Sequence, residues 1–283
     1  MAKDDYPRIY LLPNLMTAGN LFCGFFAVLT IFKGMEEATF REAIPFYKQA
    51  MLLIFGACLF DLLDGRLARL GGQDSPFGRE FDSIADIVSF GMAPALLVSQ
   101  AVLVDFELPA RFAEIEENVT WGIAFIYLLC GAMRLARFNC IAALPQEGRS
   151  HDFQGIPIPM AAGFIASLTF LIMWFPDDAR PSPFWNYLLV LMMLGVSLLM
   201  MSEVTYPSFK KVNLKTRAKL PTVIALSLLL AAVVKFYWIV PALLFSAYLL
   251  FGLIRPLLSK KLRSEIDAAV ELDHDEDEEN ERG

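Results

Sequence analysis

Long apolar runs alternate with short polar segments along most of the chain, and each run approaches the length that crosses a bilayer. Eight runs are predicted to span as helices: 14–33, 48–70, 82–104, 120–143, 159–175, 186–201, 218–236 and 238–258. The sixth is short and the last two nearly touch, so six or seven spans fit the same pattern. No internal repeat is visible, and the connecting segments are too short for a second folded domain. The pattern predicts an all-α, polytopic integral membrane bundle of about eight transmembrane helices. Residues 1–13 would precede it, 14–258 would form the membrane-embedded domain, and 259–283 would follow as a tail.

Composition agrees with that reading. Of 283 residues, 56% are hydrophobic, against about 45–50% in soluble domains, and the mean hydropathy is +0.50. The tail differs in character, with ten acidic and four basic side chains in 25 residues. Its DHDEDEENE block, which contains His274, reads as solvated and disordered. Nothing in a chain of net charge −7 points to a nucleic-acid partner.

Lysine and arginine give the orientation. If the N-terminus is cytoplasmic and all eight runs cross, eighteen of the 24 basic residues fall on the cytoplasmic side. The expectation is N-in and C-in, with the 61–86 stretch at the cytoplasmic face of a cytoplasmic (inner) membrane. The basic loop SFKKVNLKTRAK (208–219) serves as a topology signal or touches anionic headgroups. No cleavable signal peptide is expected, because Asn14, Thr17 and Asn20 interrupt the first run. The four cysteines, all in or beside apolar runs, match no zinc spacing and are assigned to packing.

One stretch breaks the apolar pattern: DLLDGRLARLGGQDSPFGREFDSIAD, positions 61–86. At about 100° per residue on a helix, Asp61 and Asp64 flank a strip that holds Gly65 and Ala68, with Arg69 at its edge. Further on, Gly78, Asp82 and Asp86 fall at i, i+4 and i+8 along one strip of the next helix, which Ser89 shares. The intervening GGQDSPFG is rich in turn formers and can reverse the chain. Two antiparallel helices joined this way would bring four carboxylates together. Such a cluster repels itself unless something positive binds, and hard divalent cations with oxygen ligands answer that need. Paired cations are a common device of phosphoryl chemistry. The small residues leave room for a phosphorylated ligand, and Arg69 has the donor fork to clamp it. A plain solvent-exposed helix end would explain Arg66, Asp74, Arg79 and Glu80, but not two matched acidic strips.

The pattern D-x-x-D-G-x-x-A-R, an eight-residue gap, then G-x-x-x-D-x-x-x-D resembles the signature of the CDP-alcohol phosphotransferases. All fixed positions are present: Asp61, Asp64, Gly65, Ala68, Arg69, Gly78, Asp82 and Asp86. The resemblance implies a membrane enzyme with a core of about six helices, here extended by two. It would move a phosphatidyl-type group from a CDP-linked lipid to an alcohol and release CMP. It implies two divalent cations, Mg²⁺ or Mn²⁺, on Asp61, Asp64, Asp82 and Asp86, with Asp86 also the general base. It implies that Gly65, Arg69 and Ser75 contact the CDP-lipid beside Ala68 and Gly78. It also implies a homodimer.

Further stretches narrow the branch. LPNLMTAGNLFCG (12–24), SFGMAPA (89–95), MRLARFN (133–139), FQGIPIPMAAG (153–163) and TYPSFK (205–210) resemble the phosphatidylserine synthase branch. That resemblance runs from about residue 10 to about 215, and it implies CDP-diacylglycerol and L-serine as substrates. Arg134 and Arg137 lie on one helix face, with Asn139 near them. They would form a pocket for the serine carboxylate or a lipid phosphate, or else snorkel to the interface. Asn14, Thr17 and Asn20 would bond the cytidine or phosphates, or cap and pack their helix. Ser89 would line the site or bond the backbone. Pro157 and Pro159 would give the fifth span a rigid start.

Other readings remain in view. Within the family, glycerol 3-phosphate, inositol phosphate or choline would be the alternative acceptors, which the carboxylate pattern does not separate. A carboxylate-lined ion transporter would also keep acids in spans, but no inverted repeat is visible. An intramembrane prenyltransferase would place its Asp-rich segments farther apart than the 18 positions from Asp64 to Asp82.

Overall fold

The computed structural model of the chain describes residues 10–71, 75–101, 116–142, 153–174, 183–206 and 235–254. Eight α-helices carry it: α1 (Leu11–Met35), α2 (Phe40–Gly71), α3 (Pro76–Asp86), α4 (Ala93–Ala101), α5 (Glu116–Ala142), α6 (Ile158–Trp174), α7 (Pro183–Met201) and α8 (Val240–Ile254). A π-helical segment, Ile87–Met92, joins α3 to α4 without a break. A two-residue antiparallel pair, β1 (Phe153–Gln154) with β2 (Thr205–Tyr206), is the only extended pairing among the described residues.

Among the described residues, four helical stretches are long and apolar enough to cross a membrane: Leu11–Met35, Pro76–Gln100, Val119–Ile141 and Phe184–Met201. Ile158–Trp174 and Val240–Ile254 are shorter apolar helices. Helix α2 is 32 residues long, but Lys48 and the pair Asp61 and Asp64 bracket its apolar stretch. The second and third predicted spans begin earlier than the apolar pattern alone implies. Thr39 caps the start of α2, accepting from the Glu42 amide at 3.4 Å while its hydroxyl donates to Glu42 Oε2 at 3.0 Å. Helix α3 starts at Ser75–Pro76, so Asp82 lies in its second turn. The predicted span 218–236 falls almost entirely outside the described residues, as does the acidic tail.

Among the described helices, α1 and α2 make the most extensive contact. Buried positions on α1 include Pro13, Thr17, Asn20, Gly24, Ala27, Ile31 and Gly34, a strip with alternating steps of four and three. Small residues on it let the backbones approach, as in membrane helix pairs. A Cβ on Gly34 would lie 2.7 Å from the Tyr47 ring, and one on Gly19 would lie 2.8 Å from the Phe60 ring. Those pairs fix an antiparallel register that puts Thr17 opposite Asp64. The other face of α1 exposes Phe22, Phe25, Leu29 and Phe32, an apolar surface of the kind lipid covers.

Helix α6 is seated by Cys58, whose Sγ donates to the Pro159 carbonyl at 3.7 Å. Helix α8 packs on it with the Phe245 ring against Gly163, and Phe245 stacks on Phe55 of α2 with centroids 6.3 Å apart. At the far end of α6, Trp174 stacks on Trp238 (5.6 Å) and meets Tyr237 edge-on (5.3 Å), and Lys48 Nζ lies 5.0 Å above the Trp174 ring. Lys48 and Asp61 are about 20 Å apart along α2 at 1.5 Å per residue. The carboxylates and this aromatic cluster therefore occupy opposite ends of the bundle.

Gly155 links β1 to α6 with φ +75, a left-handed conformation that favours glycine. Its amide donates to the Val204 carbonyl at 2.9 Å, and a Cβ there would sit 2.5 Å from the Met200 carbonyl oxygen. The β pair thus draws Phe153–Gln154 and Thr205–Tyr206 together beside the end of α7.

Candidate active site

Helices α2 and α3 bring the carboxylates of Asp61, Asp64 and Asp82 together, with one oxygen from each lying within 4.8 Å of the others. Asp64 is buried, and Asp61 and Asp82 are half-buried. Three like charges at that spacing repel, and partial burial removes the water that would screen them. Asp82 Oδ1 is buried with no hydrogen-bond partner, which leaves an oxygen free to ligate. The donor set is all-carboxylate, the type that hard divalent cations take. The residues therefore fit the expected metal. Asp86 stands outside this triangle, one turn farther along α3, and is buried.

Local sequence explains how α3 delivers its acids. Ser75 is the N-cap and accepts from the Gly78 amide at 3.0 Å, and Pro76 occupies the first helical position. Ser75 is buried, so the residue expected to contact a CDP-lipid also caps the helix that carries Asp82 and Asp86. A Cβ on Gly78 would lie 3.4 Å from Asn14 Oδ1, so Gly78 admits the first polar residue of α1 to the site.

Two polar residues near the start of α1, Thr17 and Asn20, bond the acids directly. The Thr17 hydroxyl lies 3.1 Å from Asp64 Oδ2 and 3.2 Å from the Pro13 carbonyl, as donor to both. Asn20 Nδ2 donates to Asp86 Oδ1 at 3.0 Å. Asn14 Nδ2 is buried and unpaired. Sequence reasoning placed this strip near the site but missed that two of its members bond the carboxylates. Its three-residue spacing carried the signal, since it matches the facing strip of α2.

Ser89 is fully buried, and its Oγ donates to the Asn20 carbonyl at 2.9 Å. Of its two expected roles, the backbone bond is the one observed. Gly24 permits this approach, since a Cβ there would lie 2.6 Å from Ser89 Cα. Pro94 has no N–H to return to the Phe90 carbonyl four residues earlier. The buried Tyr127 hydroxyl of α5 donates to that carbonyl instead, at 3.0 Å. The π-helical segment sits at this interruption, directly after Asp86, in a manner familiar from functional sites. Tyr127 was not singled out from sequence; the available signal was a proline inside an apolar run.

On α5, Arg134 is buried, and its Nε has no hydrogen-bond partner. It does not snorkel. Arg137 is half-buried one turn on. Asn139 Nδ2 donates to Ser83 Oγ at 2.9 Å and to Glu80 Oε2 at 3.4 Å, which ties α5 to α3. Gly65 is half-buried on α2. Ala68 and Arg69 continue α2, but their side chains lie outside the described part of the structure.

Comparison with known proteins places this arrangement. Residues 10–201 match the profile of the CDP-alcohol phosphatidyltransferase family. A CDP-diacylglycerol–serine O-phosphatidyltransferase of Helicobacter pylori is 31% identical over 249 residues, covering 87% of this chain and 91% of that relative. One of the same name from Bacillus subtilis is 32% identical over 202 residues, covering 71% and 92%. An archaetidylserine synthase of Methanothermobacter thermautotrophicus is 34% identical over 198 residues, covering 69% of each chain.

Proposed function

The chain belongs to the CDP-alcohol phosphatidyltransferase family, and from that premise we propose that it transfers the phosphatidyl group of CDP-diacylglycerol to the hydroxyl of L-serine. The products are phosphatidylserine and CMP. The observation that carries the chemistry is the Asp61, Asp64 and Asp82 triangle with Asp86 one turn away. The serine assignment is supported by the names of the Helicobacter and Bacillus relatives.

In this reading Asp61, Asp64 and Asp82, with Asp86, hold two divalent cations, Mg²⁺ or Mn²⁺. Bound there, such ions neutralise phosphate charge and lower the pKa of an alcohol. The protein side chains do the rest. Gly65, Ala68 and Gly78 leave room for the CDP-lipid, Gly65, Arg69 and Ser75 contact it, and Asn14 and Thr17 line the same side. Arg134 supplies positive charge for the serine carboxylate, with Arg137, Asn139 and Ser89 around it. Asp86 is the general base that takes the serine hydroxyl proton. The hydroxyl oxygen bonds to the phosphorus that carries diacylglycerol, and that phosphorus releases CMP.

The same reading sets the chain in the cytoplasmic membrane as an N-in, C-in homodimer, with residues 14–258 as the membrane domain and the site open to the cytoplasm. Its test is incorporation of labelled serine into extractable lipid by the detergent-solubilised chain. Label should enter phosphatidylserine only with CDP-diacylglycerol and Mn²⁺ or Mg²⁺ present, and EDTA should abolish it. Lipid labelled without CDP-diacylglycerol, or undiminished by EDTA, contradicts the proposal.

A further inference from the structure

Asn20 presents two chemically different ends. Its side chain is fully buried on α1, and Nδ2 donates to Asp86 Oδ1 at 3.0 Å. An ionised carboxylate only accepts, so the amide nitrogen must face it and the amide oxygen must face elsewhere. Oδ1 is indeed buried without a partner. A buried, unsatisfied acceptor is costly and is seldom kept without a use.

The backbone of the same residue makes a second link. The Asn20 carbonyl accepts from Ser89 Oγ at 2.9 Å, and Ser89 follows Asp86 by three residues. Gly24, one turn along α1, is what allows the π-helical segment so close. Asn20 thus holds the Asp86 turn twice, once through the carboxylate and once through the backbone that follows it. Among the described residues no other hydrogen bond to an Asp86 oxygen is recorded beside the one from Asn20.

We propose that Asn20 is the positioning residue for Asp86: it holds Oδ1, so that the other carboxylate oxygen is the one turned to the acceptor alcohol. The inference rests on the reading of Asp86 as general base. In the step it serves, the alcohol oxygen forms the new bond to phosphorus and its proton passes to the free oxygen of Asp86. The bond from that phosphorus to CMP breaks, and its electron pair leaves with CMP. A carboxylate free to rotate would meet the alcohol in the wrong orientation for much of the time.

The test uses the full chain in detergent with CDP-diacylglycerol and serine. Asn20→Ala removes the amide; Asn20→Asp keeps its shape, removes the donor and serves if the first variant does not fold. The expected result is a kcat lowered by about 10–100-fold, the range seen when a hydrogen-bond partner of a metal-ligating side chain is removed. KM for CDP-diacylglycerol should stay within about twofold, and thermal unfolding should be unchanged. Mn²⁺ titrated calorimetrically into substrate-free protein should bind more weakly to Asn20→Ala. A raised KM for CDP-diacylglycerol with kcat and Mn²⁺ binding unchanged would place Asn20 on the nucleotide instead and overturn the proposal. So would normal kcat in both variants while Asp86→Asn is inactive. Asp86→Asn with near-normal turnover removes the base reading itself, independently of what the Asn20 variants do.

Discussion

At the scale of single residues, the site is a problem of charge. Asp61, Asp64 and Asp82 lie close enough that each raises the electrostatic cost of the others. Thr17 offsets part of that cost at Asp64, and Asp82 keeps an unbonded oxygen. Replacing Asp82 with Asn retains the shape and removes one charge and one ligand. Turnover should fall by on the order of 100-fold or more, with Mn²⁺ binding weakened in calorimetry. Normal Mn²⁺ affinity in Asp82→Asn would remove Asp82 from the ligand set. The acidic positions were legible in the sequence because their spacing alone aligns them on two helix strips. Their hydrogen-bond partners were not, since Thr17–Asp64 and Asn20–Asp86 join residues 47 and 66 positions apart. No local pattern records which polar side chain across a helix pair meets which acid.

At the scale of elements, hydrophobic runs located the helices but not their irregularities. The run that predicted a span at 82–104 takes in the end of α3, the π-helical segment and α4 as one apolar stretch. What distorts it is Pro94, whose missing amide shows only when the Phe90 carbonyl is followed to Tyr127. Tyr127→Phe leaves that buried carbonyl without its donor, at a cost of about 1–3 kcal/mol. Thermal unfolding in detergent should therefore begin at a lower temperature. Turnover should also fall, because the π-helical segment directly follows Asp86. An unaltered unfolding temperature would show that the carbonyl finds another donor. Helix starts were misjudged for a related reason. The cap at Thr39 and the Ser75–Pro76 start are polar features, and apolar runs do not register them.

At the scale of the whole molecule, the bundle has two unlike ends. One gathers the carboxylates, Arg134 and the polar strip of α1. The other gathers Trp174, Tyr237, Trp238 and Lys48, an aromatic and cationic cluster of the kind found at membrane interfaces. The family was legible from eight fixed positions, and residues 10–201 match it. The acceptor was less so, because what distinguishes serine from another alcohol is the shape and charge of a pocket. In the proposed reading Arg134, whose buried Nε has no hydrogen-bond partner, would supply one part of that pocket. The measurement that bears most directly on the account is CMP release by the purified chain, given CDP-diacylglycerol, Mn²⁺ or Mg²⁺, and one acceptor at a time. Serine, glycerol 3-phosphate, inositol phosphate and choline would be compared. Release should depend on serine and vanish with EDTA; release with another acceptor alone, or with none, would contradict phosphatidyl transfer to serine.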